Sequence, residues 1–426
     1  MRHCQTTLAI LAALSASIAL GDDFKTIDGK EYKNITVSRV EPDGIMLKSK
    51  SGISKVYFTE LPKSVQERFH YDAAKGNAYS AKQNASLEGQ TPTPKPTATA
   101  TSTPTPSATA TGIGLVYLAK SYASEPPINP DAIPGVTNSH VKGILWRETW
   151  ERLDKNGQGQ HDWAFLDACL NASDSHNKDA ALQIVAGNFS PAWFFNLPGA
   201  KHIDTARRHL PTTVPWDPVF QAAWEEVQTA MANRYKGRIR LKYVVMAGVG
   251  HGSESFFATK PEERAQAEAL AKSMGHPDAV TAWKAGVTWL IDMYARVWGA
   301  KPVVLCTGAP FEDGGTEALQ AMFDYGDSTY RGQFGARADD LSANSPKDGQ
   351  PSAEIIKTIS KHCSATGYQF ANHQNVNDAN PPERLDLALK RGTGFGAHFI
   401  EVFADDADHP ASAAVLDKWG IYMVTH

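Results

Sequence analysis

The chain holds 426 residues, with 42 Lys plus Arg against 46 Asp plus Glu, a formal net charge of -4 and 42% hydrophobic residues. That length and apolar content support a sizeable core and more than one domain. The faint acidity is scattered, so no basic face is offered to a nucleic acid, and none is expected as a partner.

The first feature along the chain is an apolar run from Leu8 to Leu20, behind the tip Met1-Arg2-His3 and closing on Ala19-Leu20-Gly21. A basic start, a short apolar stretch and a small-residue exit read as a signal peptide over residues 1–21. The run is too short for a spanning helix. The mature protein is therefore expected outside the cytoplasm: secreted, periplasmic or at the cell surface. Cys4 precedes the run, which leaves Cys169, Cys306 and Cys363. An odd count excludes a complete disulfide framework but leaves one bridge open, and no CxxC or HxxxH spacing marks a zinc site. Neither a metal nor a cofactor is expected.

Residues 22–75 alternate in the manner of short strands. Asp28-Gly29 is placed as the turn of a hairpin between Lys25 and Tyr32. A second hairpin is expected from Ile35–Val40 and Ile45–Lys48, followed by a turn at Ser49–Gly52, a return strand at Val56–Phe58 and a short helix opening at Pro62. So small a sheet suggests an SH3-like half-barrel, and it resembles the small β-modules found ahead of linkers in exported bacterial proteins. What that resemblance implies is binding or anchoring, to a cell-surface or envelope partner. Residues 76–111 form a linker; its core, TPTPKPTATATSTPTPSATAT at 91–111, cannot bury apolar surface and is biased toward extended, solvated chain.

From Gly112 to His426 short β-branched runs alternate with longer amphipathic ones, the pattern of a parallel sheet wrapped by helices. The expected strands are 113–118, 142–146, 181–186, 241–247, 302–306, 334–338, 367–371 and 398–403. Helices are expected over 162–173, 218–235, 261–298, 352–363 and 382–391. Eight strands are what a (β/α)8 TIM barrel requires. A doubly wound sheet is the alternative, but the first strand lacks a glycine-rich turn. Gly392-Thr393-Gly394-Phe395-Gly396 follows a helix and precedes a strand, the reverse of a dinucleotide fingerprint, and is expected as a helix-to-strand loop. Gly250-His251-Gly252-Ser253 is not a nucleophile elbow, because Ser255 stands where the closing glycine belongs.

In such a barrel, chemistry gathers at the C-terminal ends of the strands. After the second strand come Arg147, Trp150, Leu153, Gly159, Asp162-Trp163 and Leu166-Asp167; after the third, Pro191-Ala192-Trp193; after the fourth, a glycine-rich loop with Glu254. This arrangement resembles the clan A glycoside hydrolases over most of residues 112–426. The resemblance implies a glycosidase acting on an oligo- or polysaccharide, with Glu254 as the proton donor after the fourth strand. Ser253 stands where the family has asparagine, and the seventh strand ends Gln369-Phe370-Ala371-Asn372-His373, with no carboxylate for the family's nucleophile.

Glycoside hydrolysis uses one carboxyl to protonate the leaving oxygen and another to attack or to activate water. Phe256 and Phe257 could desolvate Glu254 and raise its pKa; the other reading is a loop glutamate capping a helix. Glu401, closing the eighth strand, is the expected second carboxylate, with an internal ion pair to Arg147 as the competing role. Asp339 and Asp340 end the sixth strand and stand third. Trp150 and Trp193 are expected to line a sugar groove, although a single aromatic at such a place is as readily core. Arg147, His251, Asp339, Gln369 and His373 complete the expected substrate contacts. A non-catalytic glycan-binding barrel and a surface scaffold remain the alternatives, because fold alone does not decide function.

Overall fold

The computed structural model describes residues 22–26, 31–42, 44–49, 52–73, 75, 112–118, 129–205, 211–247, 258, 260–372, 374 and 381–425. The expected signal peptide, the 91–111 linker segment and the Asp28-Gly29 turn lie outside them, as do His251, Glu254 and His373. The chain divides into two compact units on either side of residues 104 and 105.

The N-terminal unit is an antiparallel meander of β1 (Asp22–Lys25), β2 (Glu31–Glu41), β3 (Gly44–Ser49) and β4 (Gly52–Tyr57). Ile45 and Leu47, two apart on β3, share a face with Val56 of β4, and these meet Phe58 and Leu61 in a small buried cluster. The helix Lys63–Arg68 follows. Val65, Phe69 and Tyr71 pack onto the cluster, with the Tyr71 ring 4.8 Å from that of Phe58. The strand expected at Ile35–Val40 extends from Glu31 to Glu41, its register shifting between Val37 and Arg39.

The C-terminal unit is a closed parallel barrel. Its strands are β5 (Gly114–Leu118), β6 (Gly143–Thr149), β7 (Asp179–Val185), β10 (Leu241–Val245), β11 (Val303–Cys306), β12 (Phe334–Leu341), β13 (Gly367–Phe370) and β14 (Phe399–Phe403). The small hairpin β8 (His202–Asp204) and β9 (Pro211–Thr213) is inserted after the third barrel strand. Helices follow most strands, as expected of a (β/α)8 barrel.

Three expectations about elements are corrected. The run 261–298 is two helices, Pro261–Ser273 and Ala279–Trp298, parted at Gly275 with its φ of 86°. Asp278 caps the second of them through the Thr281 amide at 2.7 Å. The helix Gly315–Thr329 was not anticipated. The glycine run expected as a loop is helical through Gly394. A Cβ on Gly392 would sit 2.8 Å from Ile400 Cδ1, so the missing side chain lets the helix approach the sheet.

Alternation along the strands decides what enters the barrel. Trp146 faces outward, its indole N–H donating to Ser173 of the helix Ala164–Ser175 at 2.8 Å, which turns Leu145 and Arg147 to the other face. Tyr243 and Glu401 turn inward and meet across the interior. Below them the Tyr243 ring stacks on Phe399 with centroids 4.5 Å apart. Cys169, Cys306 and Cys363 are all buried and form no disulfide with one another, so the bridge left open by the sequence does not form among them. No helix of the described residues is long and apolar enough to cross a membrane.

Candidate functional site at the barrel mouth

The interior of the barrel toward the C-terminal strand ends is polar. Glu401 on β14 is 0% exposed. Its Oε1 accepts the Tyr243 hydroxyl at 2.8 Å, and Arg337 Nη1 donates to Oε2 at 3.1 Å and to Oε1 at 3.4 Å. Arg337, on β12, is also 0% exposed, and its Nε donates to Asp339 Oδ1 at 2.9 Å. One guanidinium thus bridges two carboxylates. The arginine that pairs with Glu401 in this network comes from the sixth strand.

A bare charge at this depth would be strongly disfavoured, which is why the arginine and carboxylates occur together with the tyrosine donor. Burial first, and then the Glu401 charge, push the Tyr243 hydroxyl well above its ordinary value of 10.0, so it stays a donor. Asp339 differs from its partners: 33% of its side chain is exposed. Between Ala338 and Leu341 the register of β12 against β13 shifts, so Asp339 and Asp340 lie on a bulged stretch. Such a bulge re-aims side chains. Asp339 turns to Arg337, while Asp340 accepts the Ser352 hydroxyl at 2.6 Å from the helix Pro351–Ile359. Burial raises the Asp340 carboxyl despite that hydrogen bond.

Gln369 on β13 is in register with Glu401 on β14. Its Oε1 is buried, with no hydrogen-bond partner among the described residues. Arg147 is partly exposed at the end of β6, in register with the buried Gln183 of β7. The fourth strand leaves the barrel at a pinned point: Trp224 donates to the Ala247 carbonyl at 3.1 Å and Tyr294 Oη accepts from the Ala247 amide at 3.2 Å. The Glu254 loop begins just beyond, outside the described residues.

Trp150 is not on a groove. It is 0% exposed, its indole N–H donates to Asp154 Oδ2 at 2.8 Å, and its ring lies 5.2 Å from Trp224 and 5.7 Å from Trp193. The cluster ties the loops after the second and third strands to the helix Pro218–Tyr235, so burial has claimed the surface a sugar would use. Trp193 is half-buried and donates its N–H to the Asp154 carbonyl at 2.9 Å.

Beside this cluster, outside the barrel, Asp154, His161 and Glu226 bring one potential ligand atom each within 4.8 Å of one another. Both imidazole nitrogens are already occupied: Nδ1 by Asp154 and Nε2 by Glu226 at 3.1 Å. Burial depresses the His161 pKa, but the two carboxylates outweigh it and the net shift is upward. The group behaves as an imidazolium clamp on the loop after the second strand, and the spacing Asp154, His161 and Glu226 carried no motif that a sequence reading could catch. Two surface cavities, one at Pro134–His140 and Ala407–Ala413 and one along Ala222–Asn233, touch no residue of the Arg337 network.

No family model matches the chain, and no curated protein matches it either. Among solved structures, the catalytic domain of beta-amylase from Paenibacillus polymyxa is similar over 75% of this chain and 100% of that one, at 9% identity and a TM-score of 0.50. Beta-galactosidase from the psychrophilic Marinomonas ef1 is similar over 72% of this chain and 59% of that one, at 11% identity and a TM-score of 0.47. At such identity the first likeness is one of fold: a (β/α)8 barrel.

Proposed function

We propose that the protein is an exported glycoside hydrolase acting on an oligo- or polysaccharide at the C-terminal mouth of its barrel. The observation that carries this reading is the ion network there, in which Arg337 binds two carboxylates inside a closed barrel and one of them reaches solvent. A carboxylate at a strand end is what an oxocarbenium-like transition state needs. The barrel likeness to the beta-amylase catalytic domain is consistent with it, and so is the sequence pattern after strands two to four. Glu254 is the proton donor in this reading, working with a carboxylate of the Arg337 network. Arg147, Trp193, His251 and His373 supply further contacts to the sugar. The N-terminal meander serves as an SH3-like anchoring module, joined to the barrel through the 76–111 linker, and residues 1–21 direct export.

The second reading, a barrel that binds glycans without cleaving them, is favoured by one feature. The described end of β13 carries Gln369 where a second catalytic carboxylate would be expected. Hydrolysis of a broad panel of glycans and aryl glycosides decides between the two. On the enzyme reading, Glu254→Gln loses most turnover on substrates with poor leaving groups and less on activated ones, which need no proton. A protein that binds glycans but cleaves none of the panel supports the second reading, and one that neither binds nor cleaves any of them defeats both.

A further inference from the structure

Resting on that reading, we propose that Asp339, and not Glu401, is the carboxylate that meets the ligand, and that Glu401 acts only by positioning Arg337. Glu401 is sealed. It has no exposed surface, and both of its oxygens accept hydrogen bonds, Oε1 from Tyr243 and both from Arg337 Nη1. For Glu401 to touch a substrate it would have to surrender those bonds and take one of its carboxylates away from a buried guanidinium, a costly change in a low-dielectric interior. Asp339 stands one step nearer the mouth on the same guanidinium and keeps 33% of its side chain in contact with solvent. Arg337 therefore works as a rigid bracket. Its Nη1 is fixed below by the Glu401–Tyr243 pair, and its Nε holds Asp339 above in one orientation. The bulge in β12 turns Asp339 toward this bracket and Asp340 away to Ser352.

The neighbour across the bulge says what the ligand offers. Gln369 Oε1 is a buried acceptor with no partner among the described residues, and an unmet buried acceptor is a standing cost until a donor arrives. Asp339 is likewise an acceptor when ionised. Two acceptors on neighbouring strands call for hydroxyl donors, so this part of the mouth fits a neutral polyhydroxyl ring rather than a uronate or sulfated sugar.

Labelling of the full-length protein with a water-soluble carbodiimide and taurine, read by peptide mass spectrometry, tests the geometry without a known substrate. Asp339 is expected to be modified several-fold faster than Glu401; equal or faster modification of Glu401 overturns the proposal. On the neutral glycan that the panel shows to be cleaved fastest, Asp339→Asn should lower kcat/KM by about a hundred-fold or more, the scale of a lost acid–base or nucleophilic group, with the melting temperature retained. Glu401→Gln removes one negative charge from the guanidinium that also holds Asp339, so the acid limb of its pH–rate profile should move to lower pH, which a merely structural loss would not do. Asp339→Asn within threefold of the unmodified protein, or an unmoved acid limb in Glu401→Gln, also overturns the proposal. A panel without any cleavage defeats the glycosidase reading on its own, and the labelling still decides between the two carboxylates.

Discussion

Glu401 and Asp339 carry the same functional group and bind the same guanidinium, yet one is sealed and the other wet. The difference is one of burial, a quantity that residue type does not encode. Trp150 shows the same rule with an aromatic. Its position just after a strand end suggested a sugar platform, but Trp193, Phe194, Phe220 and Trp224 surround the ring and Asp154 takes its N–H. Trp150→Ala should therefore act on stability, lowering it by about 3–5 kcal/mol as for other large-to-small core substitutions. Denaturant unfolding checks this. A loss below 1 kcal/mol, with glycan binding weakened instead, would return Trp150 to the groove.

At the level of elements, the barrel closes through backbone contacts that only glycine allows. A Cβ on Gly367, at the start of β13, would lie 2.0 Å from the Phe399 carbonyl oxygen of β14, and one on Gly335 of β12 would lie 2.0 Å from the Ala365 carbonyl oxygen. Neither backbone can yield without parting the strands that carry Gln369, Glu401 and Arg337. Gly367→Ala should thus destabilise the barrel and loosen the mouth together. Gly237→Ala, where an added Cβ meets nothing within 4 Å, is the control. It should leave stability unchanged or raise it by about 0.4–1 kcal/mol through the unfolded chain. Equal melting temperatures for the two variants would show that the sheet absorbs the contact. The helices were legible where their apolar period was clean; Pro218–Tyr235 also opens on a good cap, the Asp217 carboxylate accepting from Val219 and Phe220. Gly315–Thr329 opens on glycines, with Gly314 at a φ of 73°, so nothing local marks its start as helical.

For the whole molecule, the two compact units have separate cores, one around Ile45, Val56 and Phe58 and the other filling the barrel and its helices. A fragment should begin before Gly112, because that glycine already packs against the last helix: a Cβ there would meet the Met423 carbonyl oxygen at 2.2 Å. Residues 105–426 are expected to fold alone and to melt in one cooperative transition near that of the barrel in the full chain. Calorimetry of both proteins tests this. A fragment that aggregates, or melts far below the full chain, would show that the N-terminal unit or the linker supports the barrel.

The eight barrel strands could be read from sequence because most are short β-branched or aromatic runs between amphipathic stretches, a local signal that survives without the fold. So could their order, since parallel strands joined by helices follow the chain around the barrel. The strand-end residues followed from these two facts, which is how Asp339, Gln369 and Glu401 came to be singled out. Their roles did not follow. Arg337 and Tyr243 sit inside strands that read simply as core, and they meet Glu401 across 64 and 158 residues of chain. Local pattern sets which residues enter the barrel. Only the closed sheet, with its bulge at Asp339-Asp340 and the low-dielectric interior it creates, decides which carboxylate is paired out of reach and which one keeps contact with solvent.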